Sequence, residues 1–382
     1  MAFPLDVPES ILRQRRSQKW STYPADVLPL FVAETDVQIA PEIRDALTKA
    51  VTDGDTGYSN CGDSLPPIAA EYFRRFDPAA SAAATAPVAD VGVGVRESLI
   101  HGLPAGSDVV YTPPVYMPIA PWIRASGHQA VSVPLIDHAG PQPRLDVDAI
   151  EQAFAAGTRA IVLCHPHNPT GVVHSDAELA ALADLAEKYD ALVVSDEIWA
   201  PLTMPDVSFR SFLDIAGDNR GVGVAICSAS KAFNLAGLKC AFCVVGDTAR
   251  LELPRSLAGA VGHFGALAQE VALTQSLGWL DELRGALQHN VDLLDTLLAE
   301  HLPRARWRRP EATFVSWLDL RGYEGLGDDP AAAFLTDGRV ALSSGLAFGT
   351  EGRGFVRLNF ATSPEILTEA VTRMGAVATA TG

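Results

Sequence analysis

Three short apolar runs, each followed by polar residues, constrain the fold of this chain more than any other feature. They occupy residues 160–164, 191–195 and 223–226, and segments with helical patterns separate them. Short apolar runs that alternate with helices are typical of parallel strands joined by helical crossovers. Because the alternation extends over about residues 85–250, it predicts an α/β fold with a mainly parallel sheet and helices on both faces.

Asn168, Asp196 and Lys231 lie just beyond the carboxyl ends of these three runs. They are separated by 28 and 35 residues, which is the spacing that a strand–helix–strand unit requires. Open α/β sheets bind ligands at the edge where the carboxyl ends of parallel strands meet. We therefore expect the three polar side chains to converge on one crevice.

The segment around Lys231 is rich in hydrogen-bond donors. Ser228 and Ser230 precede the lysine, and Lys239 follows it eight residues later. This arrangement suits an imine between Lys231 and an aldehyde cofactor that carries a phosphate, with the two serines and Lys239 holding the phosphate. The S-x-S-K motif alone also fits a solvated loop lysine, so the interpretation depends on the rest of the chain.

A second phosphate-binding candidate is the start of the helix that follows Asp90, which is a plausible N-cap. The free backbone N–H groups of Val91 and Gly92 would attract a phosphate, and we expect the glycine to leave room for it. The glycines of this segment could also belong to a dinucleotide fingerprint and indicate a dehydrogenase. Glu97 stands where that fingerprint needs its third glycine, which argues against this alternative.

The C-terminal part of the chain is more helical and ends in a smaller unit that contains strands. In its last strand Val356, Leu358 and Phe360 share one face, which places Arg357 on the other. The pattern leaves open whether Arg357 faces solvent or a cleft between domains. We predict an N-terminal arm over residues 1–40 that packs on the small domain, a large domain over 41–250 and a small α/β domain over 251–382.

Composition excludes several classes of protein. The 382 residues suffice for two domains, and 46 acidic against 29 basic residues argue against a nucleic-acid partner. No apolar span of membrane-crossing length is present, so we expect a cytoplasmic protein without a membrane partner. Cys240 and Cys243 form C-x-x-C, but residues three apart in an extended segment point to opposite faces. We therefore predict no metal site there.

Ordered motifs run nearly from end to end of the chain. They are Leu12–Arg16 with Lys19-Trp20, Leu28–Asp36, Pro113–Tyr116, His167–Gly171, Ser195–Ile198, the Lys231 segment and Arg357–Ser363. In these motifs the chain resembles the fold-type I enzymes that use pyridoxal 5′-phosphate (PLP), the class I/II aminotransferase superfamily. Within that superfamily it is most similar to the cystathionine β-lyase or C–S lyase branch of actinobacterial type.

The resemblance implies a role for each residue of the predicted crevice. Lys231 would hold PLP covalently and move the substrate's α-proton, and Asp196 would pair with the pyridine nitrogen. Asn168 would hydrogen-bond the phenolic oxygen of the ring. Tyr116 would stack on the ring face, and both Tyr116 and Asn168 would also lie against the substrate.

The resemblance also implies how the cofactor phosphate and the substrate are held. The phosphate would be bound by the backbone of Val91 and Gly92, by Ser228, Ser230 and Lys239, and by Tyr58 from the second subunit of a homodimer. Arg357 would bind the α-carboxylate of an amino-acid substrate. Trp199 departs from the family, which commonly has histidine at this position, so the role of that histidine does not carry over.

The implied activity is α,β-elimination from L-cystathionine or a related cysteine thioether, with a thiol, pyruvate and ammonia as products. A PLP-dependent aminotransferase is the main alternative, because both reactions begin with removal of the α-proton. A regulatory or binding protein of the same fold is a third possibility. No local sequence feature decides between lyase and aminotransferase.

Overall fold

The computed structural model describes residues 4–140 and 142–381. Within them the α-helices are α1 (Glu9–Leu12), α2 (Gln18–Ser21), α3 (Pro41–Asp53), α4 (Cys61–Phe73), α5 (Val91–Gly102), α6 (Ile119–Ala125), α7 (Val147–Ala155), α8 (Asp176–Lys188), α9 (Phe212–Ala216), α10 (His263–Gln275), α11 (Leu277–His301), α12 (Pro330–Thr336) and α13 (Pro364–Ala380). The strands are β1 (Leu28–Pro29), β2 (Thr85–Val88), β3 (Asp108–Tyr111), β4 (Gln129–Ser132), β5 (Ala160–Cys164), β6 (Leu192–Asp196), β7 (Gly223–Cys227), β8 (Ala241–Val245), β9 (Arg306–Trp307), β10 (Val315–Asp319), β11 (Val340–Ala341), β12 (Ser343–Ser344) and β13 (Phe355–Asn359).

The larger sheet has seven strands in the order β2-β8-β7-β6-β5-β3-β4. Its pairs from β7 to β4 are parallel, whereas β8 runs antiparallel to both β7 and β2. Every residue of β5, β6, β7 and β8 is buried, as expected for strands that are covered on both faces. The predicted α/β class with a mainly parallel sheet is confirmed.

Local capping signals fix the helices that connect these strands. Ser175 and Glu178 form a capping box at the start of α8. Asp90 caps α5, because its side chain accepts a hydrogen bond from the Val93 N–H at 2.8 Å. Ser363 caps α13 in the same way. These caps satisfy backbone N–H groups that would otherwise lack a partner inside the protein.

The second sheet is antiparallel, in the order β12-β13-β10-β9. Its β13 places Arg357 directly opposite Trp317 of β10. Residues 340–344 form two short strands that belong to different sheets. Val340 and Ala341 pair with the N-terminal strand β1, and Ser343 and Ser344 join the second sheet.

The N-terminal segment packs against the C-terminal part of the chain. Strand β1 pairs in parallel with β11, and Asn359 donates hydrogen bonds to the Val32 and Glu34 carbonyls, both at 2.7 Å. Inside the segment, Lys19 and Asp36 form a fully buried ion pair at 2.7 Å. The division into an arm and two domains stays a prediction.

The length of the apolar helices and the state of the cysteines are both visible in the fold. In the part of the chain that the structure describes, no helix is long and apolar enough to cross a membrane. All five cysteines are buried free thiols, and Cys240 and Cys243 pack in different apolar clusters. Each therefore behaves as a small apolar side chain.

Candidate active site

A cavity of about 480 Å³ lies where the carboxyl ends of β5, β6 and β7 face the start of α5. The crossover topology explains its position, because parallel strands deliver the residues that follow them to the same edge. Eight of the predicted site residues line it: Val91, Gly92, Tyr116, Asn168, Asp196, Ser230, Lys231 and Lys239.

Lys231 follows β7 in the chain and is partly buried. Its Nζ donates a hydrogen bond to the Ala33 carbonyl at 2.9 Å and lies 5.8 Å from the centre of the Trp199 ring. Burial, together with the nearby Arg357 charge, lowers the pKa of Lys231 to about 8. Because the neutral amine is the nucleophilic form, Lys231 is activated near physiological pH.

Asp196 is the last residue of β6 and is 2% exposed. Its Oδ1 accepts a hydrogen bond from the Ile198 N–H at 3.2 Å. Burial raises the pKa of Asp196 to about 6, although the same backbone hydrogen bond and Lys231 act in the opposite direction. Above that pH the cavity contains a buried carboxylate that can pair with a cationic ring nitrogen.

Arg357 points into the interior beside Asn168, which settles the question that the strand pattern left open. Its guanidinium donates to Asn168 Oδ1 at 3.1 Å, to the Phe31 carbonyl at 2.9 Å and to Ser343 Oγ at 3.2 Å. It also lies 5.0 Å from the centre of the Phe348 ring. Burial lowers the pKa of Arg357 to about 10, and it forms no ion pair within residues 4–140 and 142–381.

At the start of α5 the cavity combines a lysine with helix N–H groups. Lys239 Nζ pairs with Asp90 Oδ2 at 3.1 Å, beside the first residues of α5. Ser230 lines the cavity, whereas Ser228 lies behind it with its Oγ 2.5 Å from Ser230 Oγ and donating to the Cys240 carbonyl at 2.6 Å. The structure thus places Ser228 as a support for Ser230.

The structure explains the glycine at position 92 by packing against a side chain, not by the open space for a phosphate that was predicted from the sequence. A Cβ at this position would lie 2.6 Å from the Trp122 ring, far inside van der Waals contact. The space beside Gly92 is therefore filled by an indole and is not open for a phosphate on that side. The backbone N–H of Gly92 still belongs to the first turn of α5, whose N–H groups have no partner inside the helix.

The residues that line the cavity differ from the predicted set at several positions. Tyr58 is fully exposed and does not line the cavity of its own chain. Ala33, Arg96 and Trp122 also line it, and Arg96 and Trp122 were not predicted from the sequence. Arg96 lies one helical turn after Gly92, and that spacing could have identified it.

The residues present fit PLP on the chemistry of their side chains. Lys231 supplies an amine with a lowered pKa, and Asp196 supplies a buried carboxylate. Tyr116 adds an aromatic wall, and the start of α5 adds unpaired N–H groups. These are the groups that an aldehyde, a pyridine nitrogen, an aromatic ring and a phosphate require.

Comparison with known proteins identifies the family. Residues 34–374 match the model of the family described as Aminotransferase class I and II. The chain belongs to this family. The resemblance found in the sequence is thereby confirmed.

Members of this family resemble the chain over its whole length. A Mycobacterium leprae protein that carries the provisional name cystathionine beta-lyase is 40% identical over 390 residues, covering 95% of both chains. The cystathionine beta-lyase of Corynebacterium glutamicum is 32% identical, covering 96% of this chain and 98% of that one. A crystal structure from Corynebacterium diphtheriae, provisionally described as a PLP-dependent beta-cystathionase, has a TM-score of 0.90 and 32% identity, covering 98% of both chains.

Proposed function

We propose that this chain is a PLP-dependent C–S β-lyase that cleaves L-cystathionine or related cysteine thioethers to a thiol, pyruvate and ammonia. The observation on which the proposal rests is the meeting of a nucleophilic amine (Lys231), a buried carboxylate (Asp196) and Asn168 in one cavity, with the guanidinium of Arg357 bound to that asparagine. The names of the relatives favour elimination from a thioether among the reactions that this set of residues supports.

The cofactor, when bound, supplies an electron sink for the charge left at the substrate's Cα after its proton is removed. Lys231 would hold its aldehyde, and Asp196 would pair with its ring nitrogen. Asn168 would hydrogen-bond its phenolic oxygen, and Tyr116 would lie against its ring. The N–H groups of Val91 and Gly92 would hold its phosphate together with Ser230 and Lys239, and Ser228 would support Ser230.

Arg357 binds the α-carboxylate of the amino-acid substrate. Its two NH groups already donate to Asn168, Phe31 and Ser343, so they are oriented before the substrate arrives. A guanidinium can bind a carboxylate with two parallel hydrogen bonds, which fixes the substrate's orientation as well as its position. No carboxylate among the described residues pairs with this buried charge, and the substrate would provide one.

Lys231 removes the proton from the substrate's Cα. A base whose pKa lies near the working pH is most effective, and burial brings the pKa of Lys231 to about 8. Trp199, Ala33 and Ile198 surround the same part of the cavity. This largely apolar wall excludes water from the amine and from the Cα proton.

The chain acts as a homodimer in which Tyr58 of one subunit completes the phosphate site of the other. Support comes from the full exposure of Tyr58 and its absence from the cavity of its own chain. The test mixes Tyr58→Ala subunits, in which we expect PLP binding and activity to be weakened, with Lys231→Ala subunits, which we expect to be inactive. Shared sites predict that hybrid dimers regain activity, because one site then has both intact residues. No recovery in hybrids isolated by two affinity tags would refute the sharing.

The reaction is tested by incubating the purified protein, loaded with PLP, with L-cystathionine. Equal amounts of pyruvate and free thiol identify the lyase, and Lys231→Ala serves as the inactive control. A keto acid formed without thiol, with the amino group retained on the cofactor, would identify an aminotransferase instead. Absence of both products across a panel of cysteine thioethers would refute the proposal.

The proposal also includes the division of the chain into domains and its location in the cell. An arm over residues 1–40 and domains over 41–250 and 251–382 would let the cavity close around the substrate, and limited proteolysis would locate the boundaries. We also place the enzyme in the cytoplasm, because its five buried free thiols suit a reducing compartment. Cell fractionation tests this assignment.

A further inference from the structure

Arg96 lines the candidate active-site cavity one turn after Gly92 on α5. Its Nε donates a hydrogen bond to the Gly92 carbonyl at 3.3 Å, so the side chain folds back toward the start of the helix. The first residues of α5, Val91 and Gly92, line the same cavity. The guanidinium is partly buried, and it forms no ion pair with any residue that the structure describes.

Without Arg96, the positive charges near the start of α5 are too few to neutralise a bound phosphate. Lys239 is paired with Asp90 at 3.1 Å, so these two residues together contribute almost no net charge. Lys231 is engaged elsewhere, because it donates to the Ala33 carbonyl. A phosphate monoester carries a charge of roughly −1.5 to −2 at pH 7. Arg96 is thus the cation at the start of α5 whose charge no carboxylate in residues 4–140 and 142–381 compensates.

We propose that Arg96 binds the phosphate of PLP, an inference that rests on the proposed function. Its planar guanidinium can donate two parallel hydrogen bonds to phosphate oxygens, a geometry that the ammonium of Lys239 cannot provide. Lys239 contributes a hydrogen bond to the same phosphate but shares its charge with Asp90. Arg96 then supplies the uncompensated charge that discriminates PLP from its dephosphorylated form.

The test compares two cofactors that differ only in the phosphate. The full chain is freed of cofactor and titrated with PLP or with pyridoxal, and binding is followed by visible absorption. Arg96→Ala is expected to weaken PLP binding about tenfold or more, since it removes a charge-assisted hydrogen bond. Pyridoxal binding is expected to stay unchanged, because pyridoxal offers the same ring and aldehyde but no phosphate.

Two further variants give the comparison its controls. Arg124→Ala removes an exposed arginine of α6 that does not line the cavity, and it should leave both affinities unchanged. Arg96→Gln keeps most of the side-chain stem and should weaken PLP binding while pyridoxal binding is retained. If the alanine variant does not fold, as judged by thermal unfolding, the glutamine variant decides the question.

Three outcomes would overturn the inference. Equal weakening of PLP and pyridoxal would show that Arg96 only shapes the cavity. Unchanged PLP affinity in both Arg96 variants would show that it does not contact the phosphate. Failure of the unsubstituted chain to bind PLP at all would refute the proposed function itself, and that result is distinct from any difference between variants.

Discussion

The guanidinium of Arg357 donates a hydrogen bond to Asn168 Oδ1 at 3.1 Å, which joins β13 of the second sheet to the carboxyl end of β5 in the first. The same guanidinium donates to the Phe31 carbonyl in the N-terminal segment at 2.9 Å. Three distant parts of the chain therefore meet at one buried cation. Burial without an acidic partner is costly for a charge, which suggests a site prepared for an anionic ligand.

Arg357→Ala should lower kcat/KM for cystathionine by an amount that corresponds to about 2–5 kcal/mol, the usual penalty for losing one partner of a buried charged pair. Cofactor binding should persist, because Asn168 is the one residue proposed to hold PLP that loses a contact with Arg357, and the other proposed PLP contacts remain. Steady-state kinetics and visible absorption measure the two effects separately. Arg357→Lys should also be impaired, since an ammonium cannot make the two-pronged contact.

Arg353→Ala is the matched control for this prediction. Arg353 is two residues outside β13, is mostly exposed and pairs with Asp328 at the surface. Its loss should leave kcat/KM unchanged. Unaltered kcat/KM in Arg357→Ala would contradict the assignment of the carboxylate site.

Lys231 should react with aldehydes at a lower pH than an ordinary lysine. Burial disfavours the charged ammonium and lowers the pKa of Lys231 to about 8, so about half of the side chains are neutral at that pH. In the cofactor-free chain the rate of modification by pyridoxal should therefore rise with pH around a midpoint near 8. Trapping with a borohydride reagent, followed by peptide mapping, measures this rate.

Lys188 provides the internal control in the same peptide map. It is exposed, and its hydrogen bond to Glu151 raises the pKa of Lys188. Its modification should still be rising with pH where that of Lys231 has reached its plateau. Identical pH profiles for the two lysines would contradict the predicted effect of burial.

Local signals in the sequence predicted the fold and much of the cavity. The N-cap Asp90 and the buried strands β5, β6 and β7 depend on residues close together in the chain, so pattern and spacing suffice for them. The position of polar residues after parallel strands then follows from topology. For that reason the amino-acid sequence alone suffices to place Asn168 and Lys231 at one cavity.

Features that depend on long-range packing could not be predicted in this way. The direction of Arg357 is set by how β13 meets the loop at Asn168, 189 residues away. The requirement for glycine at position 92 depends on Trp122, whose ring packs against it from α6. Likewise, the contact of Ala33 with Lys231 spans 198 residues. No periodicity within a short window reports such contacts.

Asp36→Ala should destabilise the protein by about 3–5 kcal/mol, because it leaves the buried Lys19 ammonium without its counter-charge. Asp36 also accepts a hydrogen bond from the Trp20 indole at 2.6 Å, which would be lost as well. Urea unfolding followed by fluorescence measures the difference. Asp26→Ala, which removes an exposed pair with Arg339, should unfold like the unsubstituted chain. A loss of stability in the Asp26 variant but not in the Asp36 variant would contradict the prediction.

Glu197→Gln should change how stability depends on pH. Glu197 is fully buried; its Oε1 accepts hydrogen bonds from Ser195 Oγ, Ser211 Oγ and the Phe212 N–H, while its Oε2 has no partner among the described residues. Burial raises the pKa of Glu197 to about 8, from an ordinary value of 4.5. The folded state therefore binds this proton more tightly than the unfolded state. The stability that the protonated group contributes is complete below pH 4.5 and is lost as pH rises to about 8.

Glutamine cannot ionise, so the variant lacks this loss, and the unfolding free energy of the unsubstituted chain should fall relative to that of the variant as pH rises from about 4.5 to about 8. Urea unfolding at several pH values across that range measures the difference between the two proteins. Asp196, whose pKa burial raises to about 6, is present in both proteins, so its own titration largely cancels in the comparison. Parallel stability curves would mean that Glu197 ionises as readily in the folded protein as in the unfolded chain, with its three hydrogen bonds compensating the burial.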